Sequence, residues 1–464
     1  MFLCLVRRAT VSLVAFGFLI WLPAAAKAQL LGGSAGAGVV VDAKGLLMTV
    51  RGDDPTGAQM RQRIEAARAS LNKDVAKKSN LRKVSLNRLE KALEKQLAEG
   101  RKPTDDMLRL AGLTRVQHVF LYPETGDIVI AGPAEGWVTD LTGRVLGMTS
   151  GRPIVELQDL VVALRAFPPG SRGARQIGCS IDATPEGLAR MQAFLRSVGT
   201  QADPSNPNYT DQIVNGLRTS LGLQKVRIDG IPADTHFAQV MVEADYRMKL
   251  IGIGLETPPV KITSYVDRVD PASVSRNAMQ RWWFVPDYKC VRVTDDERGM
   301  ELIGNGVKLM NEDEVVMANG QRQATGKSSR ASTAFVTGFT QKYPELAAKN
   351  AVYGQLRNLI DVVVAAAFMQ QQDYYGQANW KMALLGDESK FPVRTYTAPV
   401  EVETAVASRW KNNTLMTPVG GGVTIHAEQA LLGENLLDDE GGKIKQAHDQ
   451  IDLKNLAADR WWWD

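Results

Sequence analysis

Along this chain the spacing of apolar residues changes rhythm several times, and each rhythm predicts its own kind of element. Val11–Ala26 is almost continuously apolar. Residues 29–57 are rich in Gly, Ala and Asp and predict a linker with one short strand at Gly38–Asp42. From Ala58 to Glu99, residues such as Met60, Ile64, Leu71, Leu86, Leu89, Leu93 and Leu97 keep a broken helical period among Lys, Arg and Glu. The phase slips near Ser79-Asn80, so a helical hairpin or a long solvated helix is expected over 58–115 in place of a coiled coil. Gly100 and Pro103 stop it.

From Val116 onward short β-runs mix with short amphipathic helices without a regular βαβ beat. That predicts an α+β fold in two lobes, preceded by the charged helical segment. In the first lobe, 116–257, Val116–Tyr122 and Ile128–Ala131 flank a turn at 123–127 and predict a hairpin. Leu157–Phe167 predicts a helix, Gln176–Ile181 a strand, and Thr184-Pro185 the start of a helix reaching about Val198. Gln224–Ile228 predicts a strand, Thr235–Lys249 a helix, and Leu250–Leu255 an extended segment. In the second lobe, 258–425, strands are expected at Ile262–Val266, Tyr288–Val293 and Gly299–Leu309. A helix at Ser329–Tyr343 should end at Pro344. Leu356–Tyr375 is apolar on nearly all sides and predicts a buried helix, too short and too interrupted by Asp361 to cross a membrane. Gly420-Gly421-Gly422 predicts a sharp turn, and 426–464 is a charged tail ending in Trp461-Trp462-Trp463-Asp464.

The first apolar run follows Arg7-Arg8 and precedes Ala26-Lys27-Ala28, the layout of a cleavable secretory signal spanning 1–28, with Gln29 as the mature terminus. At about 16 residues broken by Pro23, it falls short of the roughly 20 that a membrane span needs. No stable span is expected after cleavage. The chain therefore reads as exported, to the periplasm or the medium. Arg7-Arg8 lacks the flanking pattern of twin-arginine export.

Composition narrows the function classes. Hydrophobic content of 44% and charged content of 23% are those of a globular protein. The formal charge of +4 includes Arg7, Arg8 and Lys27, so the mature chain is close to neutral. Its dispersed basic residues form no footprint for nucleic acid. Cys179 and Cys290 could form one disulfide or sit as two buried thiols, and composition leaves both readings open. With His118, His236, His426 and His448 scattered, no metal-ligand spacing appears, and no cofactor motif does either.

Three places carry candidate chemistry. At about 100° per residue, His236, Glu243 and Arg247 share one face of the predicted 235–249 helix, with Asp245 nearby. They could supply a general base and a charge partner to a cleft, or form an ordinary polar face with Glu243 and Arg247 as an i,i+4 pair. Arg281, Trp282 and Trp283 read as a ligand platform or as core beneath a sheet. The Trp triplet reads as a docking element or a loose tail. Asp159 and Arg165 are expected in solvated or capping roles.

On Thr235–Gln239, Glu243–Lys249, Arg281–Pro286 and Met300–Leu302 the chain resembles a family of uncharacterised exported proteins, found largely in planctomycete-type bacteria and defined by a domain of unknown function. The resemblance spans about 116–426 and implies export without an assigned activity, ligand or catalytic residue. The leading expectation is a non-enzymatic interaction or binding protein of the cell envelope with a protein partner, contacted through the charged helical segment and the Trp tail. The alternative is a periplasmic or secreted hydrolase using His236 with Glu243.

Overall fold

In the strand Ala278–Pro286, side chains alternate as the pleat requires. Trp282 and Phe284 are fully buried on one face, while Arg281 and Trp283 are half-buried on the other. This strand lies inside a nine-stranded mixed sheet. Its order is Val39–Val41, Leu46–Thr49, Glu401–Glu403, Leu223–Asp229, Ile177–Asp182, Val419–Ile425, Ala278–Pro286, Val307–Val316 and Arg322–Ala324. The computed structural model describes residues 38–50, 54–171, 176–198, 208–270, 278–317, 319–407, 410–411, 414–415, 419–450, 453, 456–457 and 459–464. The expected leader, its Arg7-Arg8 pair and the site after Ala28 lie outside the described residues.

A second sheet of seven strands runs Leu436–Asp438, Val291–Val293, Gly299–Leu302, His118–Tyr122, Asp127–Ala134, Ser79–Ser85 and Trp462–Trp463. Eight helices of ten residues or more are described: α1 Ala58–Ser70, α2 Leu86–Ala98, α3 Leu157–Ala166, α4 Pro185–Val198, α5 Tyr209–Leu221, α6 His236–Gly252, α7 Arg330–Lys349 and α8 Ala351–Gln371. Helix α8 packs against α3, α6 and α7, and α6 lies on the large sheet. One continuous apolar cluster takes in these helices and the inner faces of both sheets, from Ile130 and Val119 to Trp282 and Val423. A smaller cluster joins α4 and α5 to Met279 and Val316 on the large sheet's opposite face. The fold is α+β, as expected.

Several boundaries differ from expectation for physical reasons. Strands from before and after residue 257 alternate within the large sheet, so 116–257 and 258–425 are not separate lobes. The expected linker supplies a hairpin, Val39–Val41 with Leu46–Thr49, at that sheet's edge. The phase slip at Ser79-Asn80 marks the strand Ser79–Ser85, which separates α1 from α2 and replaces the helical hairpin. Helix α6 runs through Leu250 to Gly252, and Ser264 caps a short helix, Tyr265–Arg268, where a strand was expected. Pro344 sits inside α7. The Thr340 carbonyl, which loses its helical N–H partner, accepts from Asn305 Nδ2 at 3.3 Å. Helix α8 is long and apolar enough to cross a membrane, but 94% of that stretch is buried in protein and Asp361 pairs with Arg115 at 2.6 Å. The Gly triplet lies within the strand Val419–Ile425, not in a turn. A Cβ on Gly421 would come 2.0 Å from the Trp282 carbonyl oxygen and 2.9 Å from Lys249 Cε, so the bare backbone lets α6 close onto the sheet.

The Trp triplet is not a loose tail. Trp462 pairs with Val84 and Trp463 with Lys83, adding an edge strand to the smaller sheet. Below it Arg82, fully buried, donates to the carbonyls of Val75 (2.9 Å), Ala111 (2.7 Å) and Lys77 (3.0 Å). It also donates to both Asp464 carboxylate oxygens, at 2.8 and 3.1 Å, and stacks 4.7 Å from the Trp462 ring. Removing this guanidinium would orphan several acceptors at once. Arg82→Met should therefore lower the unfolding free energy by about 3 kcal/mol in denaturant titration. A loss below about 1 kcal/mol would mean that the clasp holds nothing.

Candidate functional site

Helix α6 carries its charges inward. Thr235 Oγ1 caps it by accepting from the Ala238 N–H at 3.2 Å, which fixes His236 as the first helical residue. His236 is 2% exposed, and Glu243 and Asp245 are wholly buried. Each is compensated. His236 Nδ1 lies 2.9 Å from both oxygens of Asp159 on α3. Its Nε2 lies 3.4 Å from the Gln355 amide nitrogen on α8, and Gln355 Oε1 accepts from Arg144 Nε at 2.9 Å. Arg144 also donates to Glu243 Oε2, and Arg247 Nη1 donates to Glu243 Oε1 at 3.3 Å. Arg247 then binds Glu256 at 2.7 and 2.9 Å. The three predicted residues thus lie along one buried polar row, Asp159–His236–Gln355–Arg144–Glu243–Arg247–Glu256, hydrogen-bonded at each step except the 3.4 Å His236–Gln355 contact, where the protonated ring and the amide nitrogen are both donors. It crosses the core where an open face on a cleft was expected.

Asp245 forms a second pair with Lys249 at 2.9 Å, and Lys249 Nζ also donates to the Ile181 carbonyl. Burial pushes the Asp245 carboxyl up to about 6 despite Lys249. For His236, burial favours the neutral ring, but the carboxylates of Asp159 and Glu156 outweigh it and push the pKa up to about 9. Asp159 is itself raised by its burial, which the ring only partly offsets.

An acid orienting a histidine is half of a base–nucleophile arrangement. Here the other half is missing. No hydroxyl or thiol among the described residues bonds to Nε2. The cavity beside the ring, walled by Asp159, Gln355 and Asn358, holds about 10 Å³, room for roughly one water and no substrate. Asn358 Oδ1 is a buried acceptor without a partner among the described residues. Asp159, expected in a solvated or capping role, is 5% exposed and is the residue that the sequence reading missed. The signal was there: it is the sole acid on α3, between Leu157 and the apolar run Leu160–Leu164. Arg165 holds the carbonyls of Leu385 and Phe391, where a solvated or capping role was expected.

The other candidates resolve simply. Trp282 is core: its Nε1 donates to Ser332 Oγ at 2.8 Å and its ring packs 4.6 Å from Phe335. It is out of reach of a ligand. Arg281 stacks 5.7 Å over Trp283 and lies 3.6 Å from Glu314 on the opposite face of the sheet. Cys179 and Cys290 are buried free thiols and do not pair. Burial pushes the Cys290 thiol up to about 12. Among the described residues no group of three or more His, Cys, Asp or Glu could hold a metal ion.

A surface groove of about 540 Å³ lies elsewhere, between α2 and the Trp strand. Helix α2 buries Leu86, Leu89 and Leu93 and turns Arg88, Lys91 and Lys95 toward the groove. The buried Glu90 fixes the helix by accepting the Leu384 and Leu385 N–H groups at 2.8 Å. Arg88 is engaged by Asp127 at 2.9 Å, while Lys91 and Lys95 have no ion-pair partner among the described residues. Trp461 and Trp462 form the far wall, with Asp459 and Asp106 beside them.

The His236 pair sets a pH dependence. The native state keeps a proton that the unfolded chain sheds above 6.5, so the contribution is complete below 6.5 and is lost as pH rises through about 9. Thermal melts should show stability declining across that window, with the decline abolished in His236→Gln. An equal decline in the variant would place the titration elsewhere.

Residues 179–265 match a family described as Protein of unknown function (DUF1598). The match begins at Cys179, in the strand Ile177–Asp182, and continues through α4, α5, the strand Leu223–Asp229 and α6 to Tyr265. It includes Thr235–Lys249 and stops before Arg281–Pro286, a narrower span than the resemblance implied. Neither a curated protein nor a solved structure matches the chain. This chain therefore contains a DUF1598 domain; of the partners of its buried charges, Asp159, Gln355 and Arg144 come from outside that domain, while Arg247, Lys249, Glu256 and the Ile181 carbonyl lie within it.

Proposed function

We propose that this chain is an exported, non-enzymatic binding protein of the cell envelope, of the kind found in planctomycete-type bacteria, and that it engages its partner through the groove between α2 and Trp461–Trp462. The groove is the observation that carries this reading. It joins the charged segment and the Trp-bearing segment, 370 residues apart between Lys91 and Trp461, around one opening. Two like charges at i and i+4 on a helix disfavour the fold by a few tenths of a kcal/mol. Lys91 and Lys95 form such a pair, and both are exposed, so their ammonium groups are open to an outside partner. Support for export comes from the Arg7-Arg8, apolar-run and Ala26-Lys27-Ala28 layout. A hydrolase built on His236 and Glu243 would need a substrate beside Nε2, and a water-sized space disfavours it.

Intact mass of the native protein should correspond to a chain starting at Gln29, in the osmotic-shock fraction or the medium. A chain that retains Met1 inside the cell would overturn export. Tagged protein should retain an envelope partner that the Lys91→Glu, Lys95→Glu double variant loses, and equal retention would overturn the groove as contact surface.

A further inference from the structure

We infer that the groove takes an extended acidic peptide segment; this rests on the binding reading above and names its ligand class. The first support is charge. Arg88, Lys91 and Lys95 form one stripe on α2, about 10 Å from end to end by helix rise, and the last two ammonium groups have no partner among the described residues.

The second is an open sheet edge. Trp462–Trp463 is the outermost strand of the smaller sheet and pairs on one side alone. The Ser85 N–H donates to the Trp461 carbonyl at 2.9 Å, which makes Trp462 opposite Val84 a non-hydrogen-bonded pair. The backbone groups of Trp462 therefore face away from the sheet. Its carbonyl takes Arg460 Nε at 3.0 Å, and its N–H is presented to an outside acceptor. A peptide carbonyl is such an acceptor, and strand addition at a sheet edge is a general mode of peptide capture.

The third is the mixed wall. Asp106 and Asp459 repel a ligand that carries negative charge alone, whereas a peptide also brings N–H donors. In an extended peptide alternate side chains face opposite ways. Carboxylates would face Lys91 and Lys95, while apolar side chains would meet Ala92, Met107 and Trp461.

The test uses the full mature chain and a fluorescent, end-capped peptide alternating Glu and Val, followed by anisotropy. Binding should saturate, weaken with added salt, and fall about tenfold or more in the Lys91→Glu, Lys95→Glu double variant. Circular dichroism and an unchanged melt should show that this variant folds. Equal binding of a Lys–Val peptide, or no effect of the charge reversal, overturns the inference. Tighter, reversal-sensitive binding of oligogalacturonate also overturns it, because the ligand is then an acidic glycan. If the Glu–Val peptide fails to bind while the chain keeps its groove-dependent envelope partner, the peptide class falls and the binding reading stands.

Discussion

A charged side chain inside an apolar core stays charged only if the protein replaces the water that it gives up, and α6 imposes this condition on the rest of the molecule. Taking a carboxylate or guanidinium out of water costs several kcal/mol even after relaxation, and α6 brings five acidic or basic residues into the interior or its margin: His236, Glu243, Asp245, Arg247 and Lys249. Their partners come from α3, α8, the Arg144 segment, Glu256 and the Ile181 carbonyl. Each of those elements is thereby fixed in direction as well as in contact. Hydrophobic area can hold helices together in several arrangements; a relay of donors and acceptors tolerates one. The glycine at 421 belongs to the same requirement, since it leaves space for the Lys249 stem beside the strand.

That arrangement separates scaffold from surface. His236, Glu243 and Arg247 are engaged in joining α6 to α3, α8 and the Arg144 segment. What lies around α2 is simple by comparison: exposed ammonium groups, the rims of two largely covered indoles and a strand edge. Such features suit recognition, where charge steers the encounter and backbone pairing fixes register.

Much of the local structure was legible in the sequence because it depends on local signals. The hairpin around the 123–127 turn, the Thr184-Pro185 helix start and the helix beginning near Thr235 were all read near their true positions. Misreadings arose where distant segments decide. Ser79–Ser85 carries too few apolar residues to announce a strand, and it becomes one because Asp127–Ala134 and Trp462–Trp463 flank it. Gly420–Gly422 resembles a turn until Trp282 and Lys249 are placed against it. His236 and Glu243 were correctly put on one helix, yet whether that helix faced water or core depended on Asp159, Arg144 and Gln355, and no spacing rule ties these to it.

The bond between Arg82 and Asp464 joins residues 382 apart. Contacts that distant form late, because the intervening chain must first be brought to hand. The smaller sheet therefore lacks its outer strand, and the buried guanidinium its counter-ion, for as long as residues 461–464 have not emerged from the ribosome.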